Sequence, residues 1–321
     1  MSRYIRKTVI LAKLESVYGT DPTPTGTDNA LLVSNVSISA FEAQTVDREL
    51  IRPHFGASEQ LIGPVNKTVS FDVELAGSGA ADTAPAWGPL LQACAFGEDE
   101  LETPDRVEYL PITDALPSIT LYYYDDGVLH KLLGARGTFT LSARVGEIPK
   151  LSFTFTGVDG GDTAAANSSA TLTAWKKPVV MAKANVVDIT LGCSYAAGAL
   201  SGGTVYSSTG LELDTGNEVN FNAMLNAEDV DISNRAMSGS TELDLSAAQE
   251  VSFMATVKAA TTQGLGLTIG TTSGNKIILF APAAQLLTPS KAEMNGRRLI
   301  GFDLRLCPSA SGNDELRIVT L

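Results

Sequence analysis

The order of predicted secondary-structure elements occurs twice in this chain, and that repetition limits its possible folds more than any single motif does. Residues 31–157 predict a strand, a long polar loop, a strand, a short helix and strand hairpins, and residues 209–307 predict the same series. The strands are predicted from alternating apolar and polar side chains, because successive strand residues face opposite sides of a sheet. The sequence therefore predicts two tandem copies of one small β-rich unit.

The first copy opens with LLVSNVSIS over residues 31–39, where Val36 and Ile38 alternate with polar residues. The run TVSFDVEL over 68–75 is the clearest strand pattern in the chain. PAWGPLLQACAFG over 85–97 predicts a short helix that stops at its final glycine. Two hairpins are predicted after it, one around the tight turn Asp125-Asp126-Gly127 and one turning near Gly146.

The second copy opens with GLELDTG over residues 210–216, followed by a loop that ends at Arg235. A strand at 240–246, a helix at 247–261, a hairpin turning at Gly274-Asn275 and a closing strand at 295–307 complete it. We predict four regions: a basic N-terminal arm that docks onto an acidic neighbour (1–30), a first unit (31–157), a linker with bridging strands (158–208) and a second unit (209–321).

Composition excludes several classes of protein. The 321 residues are 44% apolar and carry a net charge of −13, which opposes binding to phosphates. No apolar run approaches the roughly 20 residues of a membrane span. The apolar stretch near the N-terminus is shorter than the roughly 7–15 residues of a secretory signal, so we expect the protein to be made and kept in a cytoplasm.

The sequence offers no set of residues for catalysis. Cys94, Cys193 and Cys307 are scattered without metal-ligand spacing, and neither His54 nor His130 can be matched to a nucleophile by a known motif. No phosphate-binding loop is present. We therefore predict no enzyme, no catalytic residue, no cofactor and no metal.

Three features leave alternatives open. The acidic stretches 125–127 and 228–234 are better read as a tight turn and a solvated or partner-facing loop than as calcium sites. The aromatic run Tyr122–Tyr124 is interpreted as core on one side and a subunit contact on the other, with a sugar-binding platform as the alternative.

The long connection over residues 41–65 is predicted to be a working surface. Connections of more than about 12–15 residues without secondary structure are unusual in compact domains and are often functional. This one mixes charged and apolar residues, as a partner surface does. The candidate contact residues in this loop and in the matching loop of the second copy are Asp47, Arg48, Glu49, Arg52, Asp229, Asp231 and Arg235.

Several long runs resemble the tail tube (major tail) proteins of bacteriophages with long, non-contractile tails. They are KTVILAKLESVYGTDPTPTGTDNALLV, TVDRELIRPHFGASEQLIGPVNKTVSFDVELAGSG, PAWGPLLQACAF, GLELDTGNEVN and GNDELRIV, which together cover most of the chain. The resemblance implies a mainly β fold of tube-fold sandwich or barrel units, each with a short flanking helix. Such units close into a ring-shaped β-barrel on assembly, and the rings stack into a hollow tube.

The resemblance also implies partners and a location. Two units per chain predict a trimeric ring with pseudo-six-fold symmetry, with a hexamer as the alternative. The other partners would be the tape measure, terminator and distal tail proteins, and DNA would pass through the lumen without specific binding. The protein would assemble in the host cytoplasm and reside in the virion tail, and the seven candidate residues would contact the next ring.

Two other functions stay open at this point. One is a different virion β-protein, such as a tail terminator, a decoration protein or the inner tube of a contractile tail. The other is a carbohydrate-binding β-sandwich that uses the tyrosine run and Trp175 as stacking surfaces.

Overall fold

The computed structural model describes residues 3, 4 and 6–321 and is mainly β, which confirms the predicted fold class. The helices are α1 (Gly88–Gln92) and α2 (Ala247–Lys258). The strands of the first half are β1 (Thr8–Leu14), β2 (Ser34–Asp47), β3 (Gln60–Glu74), β4 (Phe96–Glu102), β5 (Asp105–Pro111), β6 (Ile119–Asp125), β7 (Val128–Arg144) and β8 (Lys150–Ala164). Those of the second half are β9 (Val186–Ala196), β10 (Ala199–Val205), β11 (Ser208–Asp214), β12 (Asn217–Met224), β13 (Ala227–Arg235), β14 (Ser238–Leu243), β15 (Thr262–Ile269), β16 (Ile277–Met294), β17 (Arg297–Cys307) and β18 (Arg317–Thr320).

Sixteen of these strands form one antiparallel sheet, whose two halves repeat a strand order. The first half runs β2-β3-β8-β7-β6-β1, and the second runs β11-β14-β17-β16-β15-β9. The halves join where β11 pairs with β7. The hairpin β12–β13 forms a separate two-stranded sheet, and β18 pairs with both β16 and β5, so it also links the halves.

One large apolar core spans both halves. In the first half the alternating residues of β3 and β8 place Phe71, Phe153 and Phe155 against one another, with ring centroids 5.7–6.0 Å apart. In the second half Phe253 of α2 packs against Phe302 of β17 at 5.7 Å. Helix α2 therefore lies over the sheet of its own half.

Helix α2 begins where its sequence predicts. The side chain of Ser246 accepts a hydrogen bond from the backbone N–H of Gln249, and the Gln249 side chain accepts one from the backbone N–H of Ser246. This capping box satisfies two donors that would otherwise be unpaired at the first turn. The helix ends at Lys258, three residues before the predicted end.

The structure differs from the sequence interpretation in three connections. The predicted loop 41–65 is mostly the outer part of the β2–β3 hairpin, and only residues 48–59 lie outside its strands. The predicted linker begins inside β8, which continues to Ala164. Residues 119–164 form three long strands in place of two separate hairpins. In the first two cases a neighbouring strand pairs with backbone that sequence reasoning left without a partner, and in the third β7 runs as one strand through both predicted hairpins.

The N-terminal segment belongs to the sheet of its own chain. Strand β1 pairs along its whole length with β6. Arg3 and Lys7 form ion pairs with Asp125 and Asp126, so the acidic neighbour expected for this segment is the turn between β6 and β7. Residues 1, 2 and 5 of the predicted N-terminal segment lie outside the described residues.

Candidate assembly surfaces

The outer edge of β2 is the first candidate surface. Strand β2 ends the sheet on one side and pairs only with β3 among the strands that the structure describes. Its apolar residues Val36 and Ile38 pack against the core but stay half-buried. Because unpaired N–H and C=O groups can receive another strand, an edge of this length is a natural site of association.

The last part of β16 is a second open edge. Strand β15 pairs with β16 only as far as Gln285, whereas β17 continues alongside to Met294. Within the described chain, residues 290–294 therefore have a strand on one side only. The matching part of β7, Thr140–Arg144, pairs with β11 along its whole length, and its first three residues also pair with β8 on the other side.

The junction between β7 and β11 is an example within this chain of a strand edge that is paired with another strand. Leu213 lies opposite Leu141, and both side chains are buried. Beside them Arg144 Nε donates a hydrogen bond of 2.6 Å to Glu212 Oε1. This hydrogen bond from the guanidinium holds the pKa of the Glu212 carboxyl below its usual value.

The hairpin β12–β13 continues from β11 and lies across the first half. The Asn217 amide donates hydrogen bonds to the carbonyl oxygens of Cys94 (2.9 Å) and Gly137 (3.0 Å). Arg136 donates to the carbonyl oxygen of Val230 at 2.7 Å, and Val230 itself is buried. The hairpin is therefore fixed by polar contacts and by an apolar residue of its own.

The outer part of the β2–β3 hairpin, residues 41–65, is named the arm. It occupies the same place after β2 that β12–β13 occupies after β11, yet its apolar side chains are exposed. Ile51 and Phe55 are fully exposed at the tip. Exposed series of apolar residues are typical of interaction surfaces. The members of the series in the arm are Phe41, Val46, Leu50, Ile51, Phe55, Leu61 and Ile62.

The candidate residues of the first copy lie together at the tip of the arm. Arg48 and Arg52 both form ion pairs with Glu59, which faces them across the loop. Asp47 accepts a hydrogen bond of 2.7 Å from the Gln60 amide, and Glu49 is exposed. The ion pairs therefore link the two sides of the arm tip.

The candidate residues of the second copy lie on β13, apart from that tip. Asp231 is 3.2 Å from Arg136 of β7. Arg235 is largely buried, where it donates to the Ile112 carbonyl at 2.6 Å and pairs with Glu315 at 3.1 Å. Asp229 lies on the same strand with one buried carboxylate oxygen. Two of these three residues therefore have partners inside the chain.

The family model for phage tail tube proteins matches residues 5–304. The chain belongs to the phage tail tube protein family. This places it among the structural proteins of bacteriophages, as a component of the tail tube, which is a multi-subunit part of the virion. No curated protein matches the chain significantly.

His130, Tyr122 and Tyr123 contact other parts of the chain in this tail tube protein. His130 Nδ1 lies 2.7 Å from Asp162, which also pairs with the buried Lys67 at 2.6 Å. Tyr122 packs with Leu11 in a small second core, and Tyr123 belongs to the main core. Both faces of the tyrosine strand are thus covered by the chain itself, which removes the predicted subunit contact and leaves neither ring free to stack on a sugar.

Other candidate functions find no support in the described residues. Within residues 3, 4 and 6–321, no group of histidine, cysteine, aspartate or glutamate side chains is arranged to hold a metal ion. Neither helix of this part of the chain is long and apolar enough to cross a membrane.

Sequence reasoning missed the residues that close the junction between the halves. Asn217 and Arg136 both lie in strands, and each bonds to backbone carbonyls far away in sequence. The open end of β16 was also missed, because its run PAAQLLTPSKAEM does not alternate cleanly. An asparagine and an arginine in otherwise ordinary strands carry no local signal of such contacts.

Proposed function

We propose that the protein associates head to tail with copies of itself into closed rings that stack into the phage tail tube. The observation that supports this proposal is that, among the described residues, the large sheet leaves two edges at related positions of its repeated strand order unpaired, one along β2 and one at the end of β16. An open edge of one copy can accept the other open edge of the next, and such head-to-tail contacts generate rings when the rotation closes.

The repeated strand order supports a ring of three chains. We infer that each chain supplies two tube-fold units, 31–157 and 209–321, joined by the segment 158–208 and preceded by residues 1–30. Three chains then provide six units around the ring. A ring of six chains is the alternative, and particle symmetry in electron micrographs distinguishes the two.

The lumen of the tube would carry DNA to the host cell without specific binding. The net charge of −13 supports this role, because strong phosphate binding requires an excess of lysine and arginine. The tape measure, terminator and distal tail proteins would be the other partners. Assembly would take place in the host cytoplasm, before the tail joins the virion.

We further propose that the arm tip contacts the next ring. Arg48, Arg52 and the fully exposed Ile51 and Phe55 combine charge with apolar anchors, as partner surfaces do. Asp47 and Glu49 would complete this contact. The second half would contribute Asp229, Asp231 and Arg235, although the last two would first have to share or exchange their present partners in the chain.

Negative-stain microscopy of the concentrated protein tests the proposed function directly. Hollow tubes with regularly spaced rings are the expected result. Isolated rings that never stack would instead favour a terminator or decoration protein, and persistent monomers would contradict both the ring and the tube.

The double substitution Arg48→Glu with Arg52→Glu tests the contact between rings. Each change reverses a charge and breaks the pair with Glu59, so we expect tube formation to fail while the circular dichroism spectrum of a β protein is unchanged. The matched control is Lys176→Glu with Lys177→Glu, which changes the net charge equally at two other exposed residues. Normal tubes from the arm variant would show that its arginines are not needed for stacking.

A further inference from the structure

The chain contains one junction between its halves that can serve as the pattern for a junction between chains. Strand β11 opens the second half and pairs antiparallel with the end of β7, from Gly210 opposite Arg144 to Asp214 opposite Thr140. Strand β2 opens the first half in the same position of the repeated order, but its outer edge is free in the described chain. The strand equivalent to β7 in the second half is β16.

The equivalent residues of β7 and β16 follow from the strand pairing. Val73 and Leu243 are buried residues, and each is followed two positions later by the last leucine that packs in or against the core before a helix. Val73 lies opposite Leu151, and Leu243 lies opposite Ile300. Across the next pair of strands, Leu151 faces Leu141 and Ile300 faces Lys291. Lys291 therefore holds in β16 the place that Leu141 holds in β7.

The same procedure relates β2 to β11. Ile38 lies opposite Val69, which is four residues before Val73. Leu213 lies opposite Gly239, which is four residues before Leu243. Ile38 thus corresponds to Leu213, and Val36 corresponds to Leu211. The two leucines are fully buried at the internal junction, whereas Val36 and Ile38 remain half-buried.

We propose that β2 of one copy pairs antiparallel with residues 290–293 of β16 in a neighbouring copy, in the register of the internal junction. Ile38 then lies opposite Lys291, Ser37 opposite Ala292 and Ser39 opposite Ser290. This inference rests on the proposed assembly into rings and names the strand partners and the register within it. It makes the contact between chains a copy of the contact within each chain.

The chemistry of both edges suits this pairing. The contact would satisfy the free backbone groups on both strands and complete the burial of Val36 and Ile38. Lys291 forms an ion pair with Glu250 of α2, which places its aliphatic stem on the helix side of the sheet, where Ile38 would arrive. The charges of Lys291 and Glu293 at the open edge also discourage association with unrelated strands before assembly.

Paired cysteines test the register in the assembled tube. In a Cys307→Ser background, which removes the one native cysteine that is not fully buried, Ser37→Cys and Ala292→Cys are combined and the tubes are mildly oxidised. Directly opposed residues of an antiparallel pair lie about 4.5–5.5 Å apart at Cβ, within reach of cross-linking. We expect most of the protein to appear as covalently linked dimers and trimers under non-reducing electrophoresis.

Two control variants test whether cross-linking depends on the proposed register and whether the chemistry works at a known strand pair. Ser37→Cys with Lys291→Cys moves one thiol by a single residue to the other face of the sheet, and this variant should remain mostly monomeric. Ser142→Cys with Glu212→Cys places the same chemistry at the internal junction, where these residues lie opposite each other, and should give an intramolecular link. If the internal pair requires a short bifunctional thiol reagent, that reagent is used for all three variants.

Hydrogen exchange of the wild-type protein provides a measurement that does not depend on any substitution. Amides of residues 36–39 and 290–293 should exchange more slowly in tubes than in monomers. Tubes in which these segments exchange at monomer rates, or in which only the shifted cysteine pair links, would overturn the register while leaving the tube function intact. Absence of rings and tubes in the wild type would contradict the proposed function itself.

Discussion

The opening strand and hairpin of the two halves differ more in their surroundings than in their position in the strand order. Strand β11 and hairpin β12–β13 are held by β7 and by the first half, with Leu211 and Leu213 buried and Asn217 bonded to two carbonyls. Strand β2 and the arm have an open edge and a series of exposed apolar residues. The opening strand of the second half is thus paired within the chain, whereas the outer edge of the opening strand of the first half is not.

The exposure of the apolar side chains in β2 and β11 therefore depends on whether a neighbouring strand is present. It does not depend on the alternation of apolar and polar residues within the strand. Both strands alternate apolar and polar residues in the same way. The half-buried Val36 and Ile38 would be buried if the first half had a neighbour like the one that β7 provides for β11. A comparison of matched substitutions in the two strands can therefore separate folding from assembly.

The largest difference is expected between Leu211→Ala and Val36→Ala. Leu211 is fully buried, so its truncation should lower the free energy of unfolding of the monomer by about 2–5 kcal/mol. Val36 is only partly buried in the monomer, so its truncation should cost about 1 kcal/mol or less and chiefly weaken tube formation. Urea denaturation below the assembly concentration measures the first effect and light scattering the second. Equal losses in the monomer would show that β2 is not an open counterpart of β11.

A smaller effect is expected for Asn217→Ala in the inner hairpin. This change leaves the carbonyls of Cys94 and Gly137 without their amide donor in a buried place, which costs about 1–3 kcal/mol in the free energy of unfolding. Asn222→Ala, at an exposed position of the same hairpin, is the matched control and should change the stability little. If both variants denature at the same urea concentration, Asn217 does not fasten β12–β13 to the first half.

The smallest effect concerns acid sensitivity at the internal junction. The pKa of Glu212 is lowered in the folded protein, chiefly by the hydrogen bond from Arg144, so the ionised pair stabilises the fold above the usual glutamate value of 4.5. That stabilisation is lost as the pH falls from 4.5 through the lowered pKa. Because both side chains are well exposed, the effect should be at most about 0.5 kcal/mol.

Glu212→Gln should therefore reduce the loss of stability on acidification below pH 4.5. Urea denaturation at a series of pH values checks this, with Glu147→Gln on the adjacent exposed turn as the control. A variant whose stability falls with pH as steeply as that of the wild type would show that this pair contributes nothing to the junction.

Much of the fold could be predicted from the sequence where the signal is local. The alternation in TVSFDVEL correctly marked the core side of β3, with Val69, Phe71 and Val73 buried. The helix α2 was predicted from the three- and four-residue spacing of its apolar side chains, and its predicted start at Ala247 agrees with the structure. The arm was predicted as a loop because its outer strands pair only with each other, and their mixed composition hides the alternation. The charge of Arg235 led to its prediction as a contact residue. In the structure its guanidinium bonds to Glu315 and to the backbone carbonyl of Ile112.

Local patterns in the sequence are enough to predict that the protein is mainly β, that its elements occur in a repeated order and that it resembles tail tube proteins. These features are encoded in residues close together along the chain, where the period of the side chains reports the local backbone. Three features became known only from the structure: β11 pairs along the edge of β7, β2 and the end of β16 have open edges within the described residues, and Asp231 and Arg235 have partners within the chain. The physical reason is that strand pairing joins backbone groups far apart in sequence, and backbone hydrogen bonds are the same for every residue except proline.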